Sequence, residues 1–241
     1  MIRVESLTKC YGDLVAIDNL NFTVGRGEIV GFLGPNAAGK TTTLRIVTGY
    51  MPPTKGKCFV NDMDVLEHPT EVKELIGYLP ENNPLYGEME VTEYLEFIGR
   101  IRKVNNLQKR LKDVIELCAL DNVIGRNIGE LSHGYRQRVG LAQAILHDPE
   151  ILIADEPTSG LDPLQVVEIR NMIKEFGKKK TVILSTHVLP EVEATCNRVI
   201  IIHRGKIVAD GSKDQIGKLS TGEEIITLHA KGDENTIKND L

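Results

Sequence analysis

One short stretch limits the possible folds of this 241-residue chain more than any other. It reads GPNAAGKTT and matches the pattern G-x-x-x-x-G-K-[ST] through Gly34, Gly39, Lys40 and Thr41. An apolar segment precedes it and a helical pattern follows it, so its backbone N–H groups lie at a helix start, where they can bind phosphate oxygens. The stretch therefore predicts a strand, a phosphate-binding loop and a helix in succession. The alternative, a glycine-rich turn without a ligand, is disfavoured by this context.

The loop also predicts which residues contact a bound nucleotide. Lys40 would reach the β- and γ-phosphates, and the Thr41 hydroxyl would bind Mg²⁺. The residues expected around the phosphates are Gly34, Pro35, Asn36, Ala37, Ala38, Gly39, Lys40, Thr41 and Thr42.

Short apolar segments predict the strands of a sheet. They are 28–34, Ile151–Asp155, Thr181–Thr186 and Arg198–His203. The first three are apolar on both alternating faces, as expected for parallel strands covered on both sides. Helical patterns at 40–48 and 163–176 lie between them, and this alternation predicts an α/β fold with a mostly parallel sheet.

The distance between the motifs predicts an insertion. The phosphate loop and Asp155 are more than a hundred residues apart, whereas a βαβ unit needs only ~30. We therefore predict a helical lobe at 84–148, inserted into a P-loop NTPase domain that comprises 1–218. Residues 1–27 and 56–62 alternate like antiparallel strands and predict an N-terminal β subdomain. Residues 219–241 would form a tail or the start of an appendage.

Two adjacent carboxylates follow one of the predicted strands. Asp155 and Glu156 end the apolar run ILIA, and because burial would be costly we expect them at the strand end, facing a cation or water. Beside a phosphate loop, Asp155 would bind Mg²⁺, directly or through water, and Glu156 would polarise the attacking water. His187 ends another strand and would reach the γ-phosphate or that water. The alternative is two solvated acids and a surface histidine.

A second helix start carries an unusual charge. The segment ELSHGYRQRVGLAQAIL is amphipathic from Tyr135, yet Arg136 and Arg138 occupy its first turn, where the helix dipole favours negative side chains. Together with Ser132 and Gly134, these arginines predict an anion that the chain itself does not supply. A plain N-cap role for Ser132 is compatible with this prediction.

Composition excludes some functions. The 29 basic and 34 acidic residues give a net charge of −5, which is not typical of a protein that coats nucleic acid, and no nucleic-acid partner is expected. The four cysteines form no closely spaced pair, as expected in a reducing compartment. No signal peptide or membrane-spanning run is recognisable, so we expect a soluble chain whose membrane role, if any, depends on a partner.

Together these motifs resemble the nucleotide-binding subunit of ABC transporters over residues 2–212. The segment LSHGY lies where that family usually has LSGGQ. The resemblance implies that two subunits, here expected to be identical, pair head to tail around two ATP molecules with Mg²⁺. Ser132 and the Gly134 amide of one subunit would bind the γ-phosphate of ATP held by the other.

Further positions acquire a role only through this resemblance. Tyr11 corresponds to the aromatic residue that stacks on adenine, and Glu81 to a loop residue that joins the two lobes and helps to bind Mg²⁺. Asp162 corresponds to the segment that crosses the dimer interface, and His187 to the switch histidine.

The chain also departs from the family pattern. Ala37 replaces the usual Gly, and a positive φ there would cost ~1–2 kcal/mol. Glu81 replaces the usual Gln and adds negative charge near the phosphates. His133 and Tyr135 replace Gly and Gln of the signature segment.

The resemblance implies a cellular setting as well. A separate membrane-spanning permease is the implied partner, docking near Glu81 and Tyr86, with the ATPase in the cytoplasm on the inner face of the cell membrane. The segments GYLPE and LS-x-GYRQR are similar to those of bacterial drug, antibiotic and gliding-motility exporters, which favours export. An ABC-type ATPase without a membrane partner, for example in iron–sulfur cluster assembly, stays open as an alternative. A regulator that senses ATP without hydrolysing it is disfavoured by Glu156 and His187.

Overall fold

The computed structural model describes residues 1–213, 215 and 216. The predicted tail or appendage at 219–241 lies outside these residues. In the described part of the chain, no helix combines the length and the apolar character needed to cross a membrane.

The chain contains ten strands and seven α-helices within the described residues. The strands are β1 (Ile2–Tyr11), β2 (Leu14–Val24), β3 (Ile29–Leu33), β4 (Lys55–Val60), β5 (Met63–Asp64), β6 (Ile76–Leu79), β7 (Ile151–Asp155), β8 (Thr181–Thr186), β9 (Arg198–His203) and β10 (Lys206–Ser212). The helices are α1 (Lys40–Val47), α2 (Pro69–Leu75), α3 (Val91–Ile101), α4 (Leu107–Leu117), α5 (His133–Ile145), α6 (Pro163–Gly177) and α7 (Leu189–Thr195).

An antiparallel sheet forms the N-terminal part of the protein, as predicted. Its strand order is β2-β1-β4-β5. Alternate residues of β1, such as Ile2 and Val4, are buried, so one face of this sheet packs on the core. That core also contains Leu44 of α1, which places the antiparallel sheet against the helix that follows the phosphate loop.

The second sheet positions the chemistry. Its order is β10-β9-β3-β8-β7-β6, with the strands from β9 to β6 parallel and β10 antiparallel at the edge. Every residue of β7 and β8 is buried, which explains the apolar runs Ile151–Ala154 and Val182–Leu184 in their interiors. Because β3, β8 and β7 are neighbours, their carboxyl ends bring the phosphate loop, His187 and the acid pair to one edge of the sheet.

Three helices fall inside the segment 84–148. Helices α3, α4 and α5 pack together around buried residues such as Leu95, Val114 and Val139, in a core that continues to Leu152 of β7. The expected helices at 40–48 and 163–176 agree with α1 and α6 to within one residue. The sequence pattern did not predict α2, β6 or α7, because two helical turns or four strand residues are too short to show a period.

Candidate active site

The phosphate loop joins the carboxyl end of β3 to α1. Only glycine fits at its first position, because a Cβ on Gly34 would lie 2.2 Å from the Ile202 carbonyl oxygen. Gly39 precedes α1 with φ 109° and provides no side-chain cap. No acidic residue occupies the first turn of α1, so the N–H groups there are available to an anion.

Ala37 has the backbone conformation for which the family pattern uses glycine. Its φ is 62°, in the left-handed region. The expected strain at this position is therefore present, at ~1–2 kcal/mol for a residue with a Cβ.

Lys40 folds back onto its own loop. Its side chain is buried, and Nζ donates to the carbonyl oxygens of Gly34 (2.7 Å) and Pro35 (3.1 Å). Nζ also lies 3.2 Å from Glu156 Oε1, forming a buried ion pair. The ammonium group that is expected to bind phosphate thus pairs with the expected catalytic acid.

The acid pair lies at the end of β7, as predicted, and Glu156 faces the cationic Lys40, but both carboxylates are more buried than expected. Asp155 is 0% exposed and Glu156 is 6% exposed. Partners from other segments make this burial possible. The Ser185 hydroxyl donates to Asp155 Oδ1, and Glu156 Oε2 lies 3.0 Å from His187 Nδ1, in addition to the Lys40 contact.

A cavity of about 670 Å³ connects the expected adenine and phosphate contacts. Tyr11, residues 36–42 of the phosphate loop, Glu81 and Glu156 line it. Tyr11 is 45% exposed, which leaves its ring accessible for stacking, and its hydroxyl lies 3.2 Å from Met51 Sδ. Among the described residues, Ser132 and Gly134 lie outside this cavity, at the start of α5.

The oxygen atoms near this cavity suit a divalent cation of the Mg²⁺ type. Thr41 and Glu81 line the cavity, and Asp155 Oδ2 is buried without a hydrogen-bond partner. The described residues contain no group of three or more His, Cys, Asp and Glu that could enclose a metal. Mg²⁺ is commonly held by one or two carboxylates together with substrate phosphates, so a hydroxyl and two carboxylates fit it.

Helix α5 begins where the signature segment was predicted. Ser132 is its N-cap and accepts a hydrogen bond from Tyr135 N, so the plain capping role is present. A Cβ on Gly134 would lie 2.5 Å from the Gln165 side chain, which therefore covers this glycine within the same chain.

Both arginines near the start of α5 contact groups of the same chain. Arg136 donates to the Leu131 carbonyl oxygen, and the buried Arg138 forms an ion pair with Glu168 of α6. Arg138 also lies over the Tyr135 ring at 4.9 Å. Both guanidinium groups therefore have partners within the chain.

Three residues near the site were not singled out from the sequence. Ser185 holds Asp155 and also accepts a hydrogen bond from Glu156 N at 3.0 Å. Glu191 accepts hydrogen bonds from the hydroxyl groups of Thr158 and Thr186, both at 2.8 Å. Gln137 is buried, lacks a partner for Oε1 and lines a separate cavity of about 300 Å³ beside Glu81. Nothing in their sequence context distinguishes them from ordinary polar residues.

A comparison with known proteins identifies the family. A family model described as "ABC transporter" matches residues 17–159, which is more than half of the chain. The chain belongs to the ABC transporter family.

Three similar proteins match this chain over a longer part of its sequence than the family model does. The uncharacterized ABC transporter ATP-binding protein YxlF of Bacillus subtilis is 38% identical over 96% of this chain and 77% of YxlF. The bacitracin transport ATP-binding protein BcrA of Bacillus licheniformis is 36% identical over 90% of this chain and 72% of BcrA. The dimeric structure of MJ0796, a bacterial ABC transporter cassette, has a TM-score of 0.81 and 25% identity, covering 88% of this chain and 99% of MJ0796.

The predicted fold class and the resemblance are thus confirmed. The ABC transporter subunit described here binds ATP and is an ATPase that powers a separate membrane transporter. The alternative of an ABC-type ATPase without a membrane partner is not favoured by these relatives.

Proposed function

We propose that two copies of this chain pair head to tail around two ATP molecules, each with Mg²⁺, and that hydrolysis reopens the pair. The observation that carries this proposal is the cavity in which the phosphate loop, Tyr11 and the carboxylate Glu156 meet. A dimeric cassette among the similar structures, MJ0796, supports the pairing. Residues 1–218 form the ATP-binding domain in this proposal, with 84–148 as its helical lobe.

Binding of ATP depends on the loop and on Tyr11. Tyr11 stacks on the adenine ring, and residues 34–42 surround the phosphates with their backbone N–H groups. Lys40 exchanges its buried contact with Glu156 for phosphate oxygens. The freed Glu156 carboxylate then faces the cavity that holds the nucleotide.

Hydrolysis depends on groups at the carboxyl ends of β7 and β8. Thr41, Glu81 and Asp155 would hold Mg²⁺, which would supply positive charge near the phosphate oxygens. Glu156 orients and polarises the attacking water, and His187, which contacts Glu156 at 3.0 Å, keeps that carboxylate in place and reaches toward the γ-phosphate. Lys40 stabilises the negative charge that develops on the transferred group.

The partner subunit completes each site. Ser132 and the Gly134 N–H lie at the N-terminus of α5, where the helix dipole favours an anion. In the proposed dimer, the γ-phosphate of ATP bound to the other copy supplies that anion. The intramolecular partners of Arg136 and Arg138 leave this role to Ser132, Gly134 and the helix dipole.

The membrane partner is a permease, and we infer that the transporter exports its substrate. BcrA is named as a bacitracin transport protein, and the GYLPE segment shared with exporters points in the same direction. In this proposal the permease docks near Glu81 and on exposed Tyr86, which contacts Tyr94 and Phe97 and offers an aromatic surface. In this proposal the chain lies in the cytoplasm, on the inner face of the cell membrane.

Replacing the proposed base tests the assignment of the site. Glu156→Gln should lower ATP turnover by ~10²–10⁴-fold, because a neutral amide cannot accept the proton of the attacking water. ATP should then accumulate in a dimer that elutes earlier in size exclusion, whereas the surface variant Glu150→Gln should behave like the parent. Turnover at the parent rate would refute the role of Glu156.

A second substitution tests the pairing. Ser132→Arg should prevent ATP-dependent dimerisation of the chain while ATP still binds to the monomer, because the added side chain occupies the space expected for the partner's γ-phosphate. Thr70→Arg, exposed on α2, is the matched control. Normal dimerisation of Ser132→Arg would contradict the head-to-tail arrangement.

A further inference from the structure

The side chain of His133, the first residue of α5, forms a hydrogen bond with the segment that follows β7. Its Nε2 lies 3.0 Å from the carbonyl oxygen of Ser159. A carbonyl only accepts, so Nε2 carries the proton and donates it. The ring also packs beside Gly160, since a Cβ built there would lie 3.5 Å from Nε2.

The segment held by His133 is the turn that sets the backbone of Glu156. Glu156 has φ 47°, an unfavourable value for a residue with a Cβ. Ser159 N donates to the Glu156 carbonyl oxygen at 3.1 Å and closes the turn. Contacts that hold Ser159 therefore help to maintain the strained conformation from which the carboxylate reaches Lys40 and His187.

A second contact holds the same turn from the opposite side. The Thr158 hydroxyl donates to Glu191 of α7, and Glu191 also accepts from Thr186, which precedes His187. Hydrogen bonds thus connect the start of α5 to the residues around Glu156 through one short turn, with His133 as the link on the α5 side.

We propose that His133 is a positioning residue for Glu156 and links the start of α5 to the hydrolytic centre of its own chain. This inference rests on the proposed function, in which the N-terminus of α5 contacts the nucleotide of the partner subunit. Because Ser132 precedes His133, binding of that nucleotide would act on Glu156 through the His133–Ser159 hydrogen bond, and the Hill coefficient of ATP hydrolysis would report this coupling. The residue acts through Ser159 and does not itself touch the nucleotide of its own chain.

Two substitutions at one position separate the hydrogen bond from the packing of the ring. His133→Leu keeps an apolar side chain beside Gly160 but removes the donor, whereas His133→Gln retains an N–H group of similar reach. Both are compared with the parent as 241-residue chains. The measurements are kcat, KM for ATP, the Hill coefficient of hydrolysis, ATP-dependent dimerisation and the melting temperature.

We expect His133→Leu to lower kcat about fivefold, as for the loss of one neutral hydrogen bond. The Hill coefficient should fall toward one, while KM should stay near the parent value because the phosphate loop is unchanged. The melting temperature should fall by no more than ~2–4 °C. His133→Gln should restore both kcat and the Hill coefficient.

Other results would overturn the inference in recognisable ways. Equal kcat and Hill coefficients in all three proteins, with normal dimerisation, would refute the positioning role and leave the proposed dimer intact. A loss of kcat that His133→Gln does not restore would equally contradict a role through the hydrogen bond. A parent protein that stays monomeric with ATP would refute the proposed pairing, and with it the link between two sites.

Discussion

Glu156→Gln is expected to destabilise the nucleotide-free protein and, at the same time, to raise its affinity for ADP. The reason lies in the buried contact between Glu156 and Lys40, in which Oε1 and Nζ are 3.2 Å apart and both side chains are less than one-tenth exposed. Nucleotide phosphates must displace this carboxylate from Lys40. Glu156 therefore competes with the ligand for the same ammonium group.

The structure sets the size of the effect. Removing one partner of a buried ion pair costs about 3–5 kcal/mol of folding free energy. Here the loss should be smaller, ~2 kcal/mol, because glutamine keeps an oxygen acceptor and Nζ still donates to the Gly34 and Pro35 carbonyl oxygens at 2.7 and 3.1 Å. For a chain of this length, that loss lowers the melting temperature by ~4–8 °C. Because phosphate restores a negative partner to Lys40, the same free energy appears as ~30-fold tighter ADP binding.

Two measurements on the monomer check this expectation. Thermal unfolding without nucleotide is followed by circular dichroism, since the chain contains no tryptophan to report by fluorescence. Calorimetric titration with ADP measures affinity without hydrolysis. Glu150→Gln is the control, because the Arg26–Glu150 pair is exposed (70% and 41%). Such pairs contribute at most ~1 kcal/mol, and ADP affinity should not change.

The expected loss of stability and the expected gain in ADP affinity can be refuted separately. A Glu156→Gln protein that melts at the parent temperature would show that the Lys40 contact does not stabilise the nucleotide-free loop. Unchanged ADP affinity would show that the carboxylate does not compete with phosphate.

Three further predictions concern the loop, the thiols and a buried histidine. Ala37→Gly should raise the melting temperature by ~1–2 °C. The relief of left-handed backbone strain (~1–2 kcal/mol) slightly exceeds the cost of the greater conformational entropy of glycine in the unfolded chain (~0.4–1 kcal/mol). A lower melting temperature would contradict the presence of strain at Ala37. Burial raises the pKa of the thiols of Cys58, Cys118 and Cys196 to about 12. Only the partly exposed Cys10 should therefore react rapidly with a thiol reagent near pH 8. Rapid labelling of all four cysteines, detected by mass spectrometry, would refute this burial. Burial lowers the pKa of His147 from 6.5 to about 4. The His147 imidazole therefore binds a proton more readily in the unfolded chain than in the folded chain. The folded state loses stability relative to its value above pH 6.5 as the pH falls toward 4. His147→Gln, which does not titrate, should therefore lose less melting temperature between neutral pH and about pH 5 than the parent, and equal losses would contradict the assignment.

Local sequence pattern predicted the strands that carry the site because their signal is short-range. The phosphate loop, the acid pair and His187 each end an apolar run, and the structure places all three runs side by side in the parallel sheet. Parallel strands buried on both faces require such runs, so their position along the chain is visible without tertiary information. Helices α2 and α7 were missed because seven residues show no reliable period.

The electrostatic environment of the site was less predictable. The sequence predicted Asp155 and Glu156 at a strand end facing a cation or water but did not predict their burial, which Ser185, His187 and Lys40 from other segments make possible. Burial of a charge depends on whether partners reach it, and those partners lie 29 or more positions away along the chain.

The arginines of α5 repeat this pattern. The sequence pattern placed both in the first helical turn and suggested an external anion, but α5 begins at His133, so Arg138 lies in the second turn. There Arg138 pairs with Glu168, and Arg136 donates to the Leu131 carbonyl oxygen. The amino-acid sequence sufficed for the phosphate loop, the strand ends and the family, because these features depend on neighbouring residues and on backbone geometry. Only the tertiary structure showed which charged groups pair and that His133 contacts the turn beside Glu156. Hydrogen bonds and ion pairs act over a few ångströms, and only folding brings segments that are distant in the sequence this close together.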